Sequence, residues 1–386
     1  MARRKRVLYF MPDNPFWSHA GNLTRAKQLL AYFEQHSKDL QVEFLSCLFW
    51  NTESIERFKA IYPHVNLTVI NTDSDKRNRM KYLVEDKIPR LINQARHKTL
   101  ISLLTPIIAK RIHSLMRDKH YDIIVISYST WGALIEQLNL LNAYKIIDTH
   151  DFMTLQRMKE RSDFDIGNAF REEVDILSLY DEIWTYSVEE RYLFEQFTSK
   201  KVTLLPVSTN SDRPLWSNIE PKNILYVASD NIHNTESMKW FVEFVLPHIP
   251  QYKIHVVGKI CQNIPDHPQL IKHGVVEDIE TFYANAKMTI CPMLSGTGIK
   301  IKVLESLYHG LPVITNRRGV DGLINKINNG CLVADSDVQF ADFIKSLMDD
   351  TSFYLKQKEY AQVFYHSFYT REHEEAILNS VFLEKV

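Results

Sequence analysis

The sequence predicts an α/β protein built from two Rossmann-like domains, each a parallel sheet wrapped by helices. Three observations lead there. Short β-branched or aromatic runs alternate with helical patterns through both halves of the chain. Several of those runs are almost wholly apolar, as strands covered on both faces are. A polar, proline-containing stretch, PVSTNSDRPLWSNIEPKN (206–223), interrupts the alternation near the middle and reads as a linker. A chain of 386 residues is also long for a single core.

In the first half the strand candidates are RVLYF, VEFLSCL, DIIVIS, YKIID and EIWTY. In the second half they are NILYVA, YKIHVVG, KMTICP and LPVIT. Alternation of this kind requires right-handed helical crossovers between parallel strands. The expected division is 1–205 for the first domain, 206–222 for the linker and 223–365 for the second domain. A helical, aromatic segment, 366–386, is expected to cross back to the first domain.

Hydrophobic residues make up 45% and charged residues 24%, and the net charge is −1, so no global attraction to nucleic acid is expected. The charge is unevenly spread: residues 76–119 carry 12 Lys/Arg and 3 Asp/Glu, a local net of +9. Within that segment Leu100, Leu104, Ile108 and Leu115 share one helical face flanked by Lys110, His113 and Arg117, with Pro106 kinking or dividing the helix. A basic surface of this kind suits docking on an anionic membrane, against the plainer reading that the apolar face packs on the sheet. The opening MARRKRVLYFMPDNPFW reads as a basic cluster and a first buried strand rather than a signal peptide. No window reaches the ~18 apolar residues of a membrane span. Cys47, Cys261, Cys291 and Cys331 are widely spaced with no CxxC pair, which suits a reducing cytoplasm and argues against a disulfide framework or zinc site.

The chain has 11 glycines, and six of them (Gly296, Gly298, Gly310, Gly319, Gly322 and Gly330) fall within 35 residues. There, KMTICP reads as a strand, SGTG as a loop and IKIKVLESLYH as the following helix, closed by Gly310 and Pro312. Glycines before a helix let the backbone approach a ligand, and the free N–H groups and helix dipole favour an anion. A helical projection groups Lys302, Glu305, Ser306 and His309 opposite an apolar arc, and puts Lys300 within that arc. A cation so placed in a first turn is accounted for by a phosphate at the helix N-terminus, against the plainer reading that the glycines make a tight turn and the lysines are solvated. The spacing fits neither GxxxxGK[ST] nor GxGxxG.

GTGIKIKVLESLYHGLPVITNRRGVDGL resembles the C-terminal signature of retaining GT-B glycosyltransferases of the glycosyl transferases group 1 type. HNTESMKWFVEFVLPHI looks like that family's helix after the first strand of the donor domain. DTHDFMTLQR, REEVDILSLYDEIWTYSVEE and NPFWSHAGNLTRAKQLLAYF are similar to its acceptor-domain segments. The resemblance implies two Rossmann-like domains facing across a cleft that holds a nucleotide sugar. It also implies a saccharide or lipid-linked saccharide acceptor, and neither a cofactor nor a metal. The donor-binding set it implies is Gly21, Gly296, Thr297, Gly298, Ile299, Lys300, Lys302 and Glu305, with Glu305 on the nucleotide ribose. His150, after the strand YKIID, would contact the donor sugar and joins Lys300 and Lys302 in the catalytic set; alone, a His-Asp pair reads as a helix cap by Asp151. Glu172 and Glu173 read as surface carboxylates on a helix, with a place facing the acceptor as the alternative, and Asp148 as a group that satisfies backbone at the strand end.

Two departures stand out. The family's first glutamate would fall at Thr297, and the Arg and Lys that many relatives carry after the first donor-domain strand are absent from ASDNIHNTES. Lys300 and Lys302 are then the candidates to neutralise the diphosphate. The implied activity is sugar transfer in surface polysaccharide or glycolipid synthesis by a cytoplasmic, peripheral enzyme. A sugar-nucleotide epimerase and an inactive scaffold of the same fold stay open as alternatives.

Overall fold

The computed structural model describes residues 3–17, 21–72, 80, 83–88, 91–92, 102–138, 142–158, 164–208, 222–296 and 298–384. The chain divides into two compact units. The N-terminal unit comprises Met1–Tyr186, Glu190–Leu205 and Glu375–Val386, and the C-terminal unit comprises Ser187–Glu189 and Pro206–Glu374.

The N-terminal unit holds a seven-stranded sheet of β1 (Lys5–Phe10), β2 (Leu40–Ser46), β3 (Asn66–Val69), β4 (Ile123–Ser127), β5 (Tyr144–Asp148), β6 (Glu182–Thr185) and β7 (Lys201–Leu204). Its order is β3-β2-β1-β4-β5-β6-β7, with every neighbouring pair parallel. Helices α1 (Gly21–Gln35), α2 (Thr52–Ile61), α3 (Pro106–Met116), α4 (Met153–Met158), α5 (Ile166–Leu177) and α6 (Val188–Phe197) accompany it. Two apolar clusters belong to this unit. One contains Val7 and Tyr9 of β1 with α1; the other contains Leu8 and Phe10 of β1 with α3. Alternate residues of one strand thus serve opposite faces, as the two-residue strand period requires.

The C-terminal unit repeats the plan with β8 (Asn223–Val227), β9 (Ile254–Val257), β10 (Leu270–Gly274), β11 (Ala286–Cys291), β12 (Val313–Asn316) and β13 (Cys331–Ala334). The six strands are parallel in the order β10-β9-β8-β11-β12-β13. Its helices are α7 (Ile232–Trp240), α8 (Glu280–Ala284), α9 (Ile301–Tyr308), α10 (Asp337–Asp349) and α11 (Thr351–Phe368). A last helix, α12 (Arg371–Asn379), starts in this unit, and the chain from Glu375 onward belongs to the N-terminal one. The strand order reverses between β1 and β4 in one sheet and between β8 and β11 in the other. In open parallel sheets the loops at the carboxyl ends of such strands are where ligands bind.

Four strands are absent from the sequence reading: β3, β7, β10 and β13. They are the four outermost strands of the two sheets, and their residues are largely half-buried or exposed, whereas all of β4 is buried. A strand covered less completely carries a weaker apolar signature. A second difference concerns Pro106. It occupies the first turn of α3, after Thr105, whose side chain caps Ile108 N; it starts the helix instead of kinking it. Ile108, Ile112 and Met116 are buried on the sheet, Leu104 with them, while Leu115 is exposed. Leu100 lies outside the described residues, as does most of 73–101.

The C-terminal segment locks into the N-terminal unit. Leu378, Val381 and Phe382 are fully or almost fully buried, and the Phe382 ring meets Phe33 edge-on at 5.0 Å. Tyr32 Oη donates to Asn379 Oδ1 (2.8 Å), and Lys5 Nζ donates to the Leu383 carbonyl (2.9 Å). Phe382→Ala should therefore destabilise the N-terminal unit by about 3–5 kcal/mol, read as a lowered urea midpoint. An unchanged midpoint would mean that this segment does not belong to the core.

Candidate active site

In the C-terminal unit, the loops after β8 and β11 leave adjacent strands at the switch point and are tied together. Asn231 caps α7 through Asn234 N (2.9 Å), and Asn234 Nδ2 donates to the Ser229 carbonyl (2.9 Å). His233 Nδ1 pairs with Ser295 Oγ (2.7 Å), and Leu294 N donates to Ser237 Oγ (3.1 Å). Lys302 Nζ then donates to Asn234 Oδ1 (2.6 Å) and lies 5.0 Å from the centre of the Tyr226 ring. Both of these partners are neutral. Burial pushes the Lys302 amine below its ordinary range, offset by the nearby Cys291 and Glu305.

The expected first-turn position of Lys300 is corrected by the structure. The helix begins at Ile301; Lys300 has extended backbone and is buried, and its ammonium turns back to the Gly298 carbonyl (2.6 Å). Lys302 is the lysine of the first turn. Gly296 and Gly298 have φ of +102° and +69°, a backbone that favours glycine. Gly322, at φ +87°, lies so close to Ile299 that an added Cβ would sit 3.1 Å from its Cα. Thr297 lies outside the described residues. Further along α9, the Glu305 carboxylate accepts from Tyr283 Oη (3.1 Å), and burial raises its pKa. Ser306 and His309, assigned to an open polar face, are buried: Ser306 Oγ donates to the Lys302 carbonyl, and the His309 ring stacks on Tyr283 at 4.4 Å. Asn234, His233 and Tyr283 were missed by sequence reasoning. The polar run SDNIHNTES directly after a strand at the switch point was the available signal for the first two.

In the N-terminal unit, Gly21 opens α1, and Arg25, one turn on, is fully buried. The Arg25 guanidinium lies over the Tyr186 ring (4.6 Å), donates to Tyr186 Oη (3.2 Å) and to the Leu205 carbonyl, and stands 3.9 Å from Asp148 Oδ2. His150 follows β5 with φ +58°, and its side chain is 1% exposed. Its ring stacks on Tyr128 (4.4 Å), Nδ1 pairs with Tyr186 Oη (2.8 Å) and Nε2 is 3.6 Å from Asp148 Oδ2. Burial lowers the imidazole pKa, with Asp148 acting in the opposite sense. Among the described residues neither Asp148 carboxylate oxygen has a hydrogen-bond partner, so Asp148 serves Arg25 and His150 electrostatically and not the strand-end backbone.

Glu173 also differs from the surface carboxylate expected. It is fully buried and accepts hydrogen bonds from Ser129 Oγ, Met153 N, Thr154 N and Thr154 Oγ1 (2.7–3.0 Å). Glu190 accepts from Phe152 N (3.2 Å) and Thr185 Oγ1 (2.8 Å), and burial pushes its carboxyl up to about 7. The N–H groups of residues 152–154 are thus met by two glutamates distant in sequence. Glu172 lies on the same helix with a half-buried side chain. Among the described residues no group of three or more His, Cys, Asp and Glu is arranged to hold a metal ion.

Residues 221–350 match the family described as Glycosyl transferases group 1. No curated protein matches the chain in sequence. Among solved structures, the chain is similar to Anabaena Alr3699/HepE in complex with UDP and glucose, at 12% identity over 98% of this chain and 99% of that one (TM-score 0.68). It is similar to a glycosyltransferase from Rickettsia africae at 13% identity over 99% of both chains (TM-score 0.66). The S. aureus TarM G117R mutant, crystallised with fondaparinux, α-GlcNAc-glycerol and UDP, is similar at 12% identity over 98% and 100% (TM-score 0.67). The two parallel-sheet units have the GT-B architecture. The match to a group 1 glycosyl transferase domain covers residues 221–350, about a third of the chain, within that architecture.

Burial in the α9 site has a measurable consequence. The His309 imidazole is held down at about 4, against an ordinary 6.5, by burial. Between those values the unfolded chain binds the proton and the folded one does not. Stability of the C-terminal unit is therefore full above pH ~6.5 and falls as the pH drops toward ~4, by on the order of 2–3 kcal/mol. Glu280, 3.5 Å from Nε2, reduces the effect. His309→Phe, which keeps a ring against Tyr283, should flatten this part of the pH profile of the urea midpoint; an unaltered profile would remove His309 as its source.

Proposed function

We propose that the protein is a retaining glycosyltransferase that moves a sugar from a nucleoside-diphosphate sugar to a hydroxyl acceptor, in the synthesis of a bacterial surface polysaccharide or glycolipid. The observation that carries this reading is Lys302. Its half-buried ammonium has the neutral partners Asn234 and Tyr226, stands in the first turn of α9, and follows two positive-φ glycines. A cation so placed, with Glu305 as its nearby carboxylate but neutral groups in contact, costs free energy that an anion beside it reduces. A diphosphate at this helix N-terminus supplies that anion.

In this reading the donor belongs to the C-terminal unit, with Gly296, Thr297, Gly298 and Ile299 shaping the phosphate loop and Glu305 on the ribose. Gly21, at the start of α1, stays in the donor-binding set, and the N-terminal unit otherwise serves the acceptor. The acceptor oxygen attacks the anomeric carbon on the face from which the diphosphate departs. The glycosidic C–O bond forms as the anomeric C–O bond to phosphate breaks, and the acceptor proton passes to the leaving phosphate oxygen. Lys302 and the α9 dipole stabilise the charge that develops there. Lys300 holds the loop through the Gly298 carbonyl. His150 shapes the turn after β5, and a direct sugar contact requires its enclosed ring to be uncovered. The lysines and the helix dipole do the work a metal does elsewhere, so the reaction is read as metal-independent.

Transfer should be assayed from UDP-, GDP-, dTDP- and CMP-sugars, with and without EDTA. Lys302→Ala should cost about 2–4 kcal/mol of transition-state stabilisation, as the loss of a preorganised donor does. Lys300→Ala should cost less, and Glu305→Gln should weaken nucleotide binding more than the chemical step. Near-normal turnover in the double lysine variant would reject the phosphate assignment; loss of activity in EDTA, restored by Mn²⁺, would reject metal independence.

The same proposal puts the enzyme on the inner face of a membrane, close to a lipid-linked acceptor, through basic residues 76–119. Among the described residues no helix is long and apolar enough to cross a membrane. Each basic residue near an anionic surface contributes about 1 kcal/mol, so cosedimentation with anionic liposomes should be strong at low salt and weak at high salt. Changing Lys76, Arg77, Arg79 and Lys81 to Gln should abolish it; equal binding to neutral vesicles would sink the idea.

A further inference from the structure

Beside the sheet edge of the N-terminal unit stands a feature that the reading above does not use. Trp17 and Phe49 stack on each other with ring centroids 4.6 Å apart and planes 13° apart, and both are open to solvent, at 61% and 51% exposed. They come from the loops that leave the carboxyl ends of β1 and β2, which are neighbours in the sheet.

The loops beneath the rings are braced. Leu48 N and Cys47 N donate to the Pro12 carbonyl (2.7 and 3.1 Å), and Asn14 N donates to Leu48 O (3.0 Å). Buried Asn14 reaches Phe49 O through Nδ2 (3.0 Å) and accepts from Phe16 N (2.9 Å). Ser46 Oγ donates to Pro12 O (3.0 Å) and accepts from Trp50 Nε1 (2.7 Å). Phe49 itself is held at φ +62°, a backbone that a bulky side chain rarely adopts. Strain of that kind persists where the surroundings over-determine it, and it concentrates at ligand sites. Here it keeps a phenyl ring in water against Trp17.

A pyranose ring offers an apolar face of C–H groups and a rim of hydroxyls. A braced aromatic face with polar groups around it matches both, and its rigidity lowers the entropy cost of binding. The polar residues that flank the rings in sequence are half-buried Asp13 and exposed Asn51, Thr52 and Glu53. Asp13 and Glu53 are acidic and Asn51 and Thr52 neutral, groups that suit hydroxyls, and Arg57, over the neighbouring Phe16 ring (4.7 Å), is a cation beside them. We infer that Trp17 and Phe49 form a stacking subsite for a pyranose ring of the acceptor saccharide. The acceptor role rests on the glycosyltransferase reading; saccharide binding by the pair does not.

The test is saturation-transfer NMR on the full chain, with UDP present in excess. The probes are methyl glucopyranoside, methyl galactopyranoside, methyl N-acetylglucosaminide and their β-linked and α-linked disaccharides. At least one should bind the native protein. Binding should weaken by about tenfold or more in Trp17→Ala and Phe49→Ala and be retained in Phe49→Tyr. Phe49→Gly should bind as poorly while melting no lower than the native protein, because glycine accepts the positive φ and the ring alone is lost. Unchanged binding in both alanine variants, or no binding of any probe by the native protein, overturns the subsite. Liposome capture that needs both rings, without saccharide binding, overturns it in favour of a lipid anchor. If binding depends on the rings but no donor supports transfer, the subsite stands and the transferase reading falls.

Discussion

The bond from Lys302 Nζ to Asn234 Oδ1 is the constraint around which the C-terminal site is arranged. It joins the first turns of two helices that follow adjacent strands, so the loops after β8 and β11 are held as one surface. It also leaves a half-buried ammonium against a neutral amide oxygen and the face of Tyr226. A neutral oxygen replaces one hydrogen bond of water but none of the counter-charge. The fold maintains this position at a cost, and the helix dipole adds to the positive potential there. An anionic ligand removes the cost, which is why the site reads as a place for a diphosphate.

The N-terminal unit solves the reverse problem with carboxylates. Glu173 and Glu190 are buried and satisfied largely by N–H and O–H donors around residues 152–154. They hold the start of α4 and, with it, the left-handed turn at His150. Burial favours their protonated forms, and the hydrogen bonds from backbone and hydroxyl groups act against that. Asp148, Arg25 and His150 form a buried charged cluster at the same loop, and Thr149 ties the loop to the Trp184 carbonyl.

The crowding of glycines also finds a physical account. Gly296 and Gly298 bend the loop after β11 through positive φ, and Gly322 lets a later turn pack directly on Ile299. Loop shape and loop support therefore draw on glycines separated in sequence but gathered around one segment.

The central strands were legible because a strand buried on both faces must be apolar throughout; DIIVIS could be little else. The glycine loop and the lysine-bearing helix were legible because φ preference and dipole effects act locally. So was the kinship with group 1 glycosyl transferases, through a contiguous signature. The outer strands β3, β7, β10 and β13 were not, since partial cover leaves only a weak pattern. Nor was the helix start at Ile301, which moved Lys300 out of the first turn and onto the loop carbonyl. The burial of Glu173, the enclosure of His150 by Tyr128 and Tyr186, and the pairing of Lys302 with Asn234 all join residues at least 19 positions apart. Local sequence determines which residues can bend, cap or carry charge. Only the tertiary structure decides which of those charges lose their water and which partners they meet, because desolvation depends on what distant segments bring to the same place.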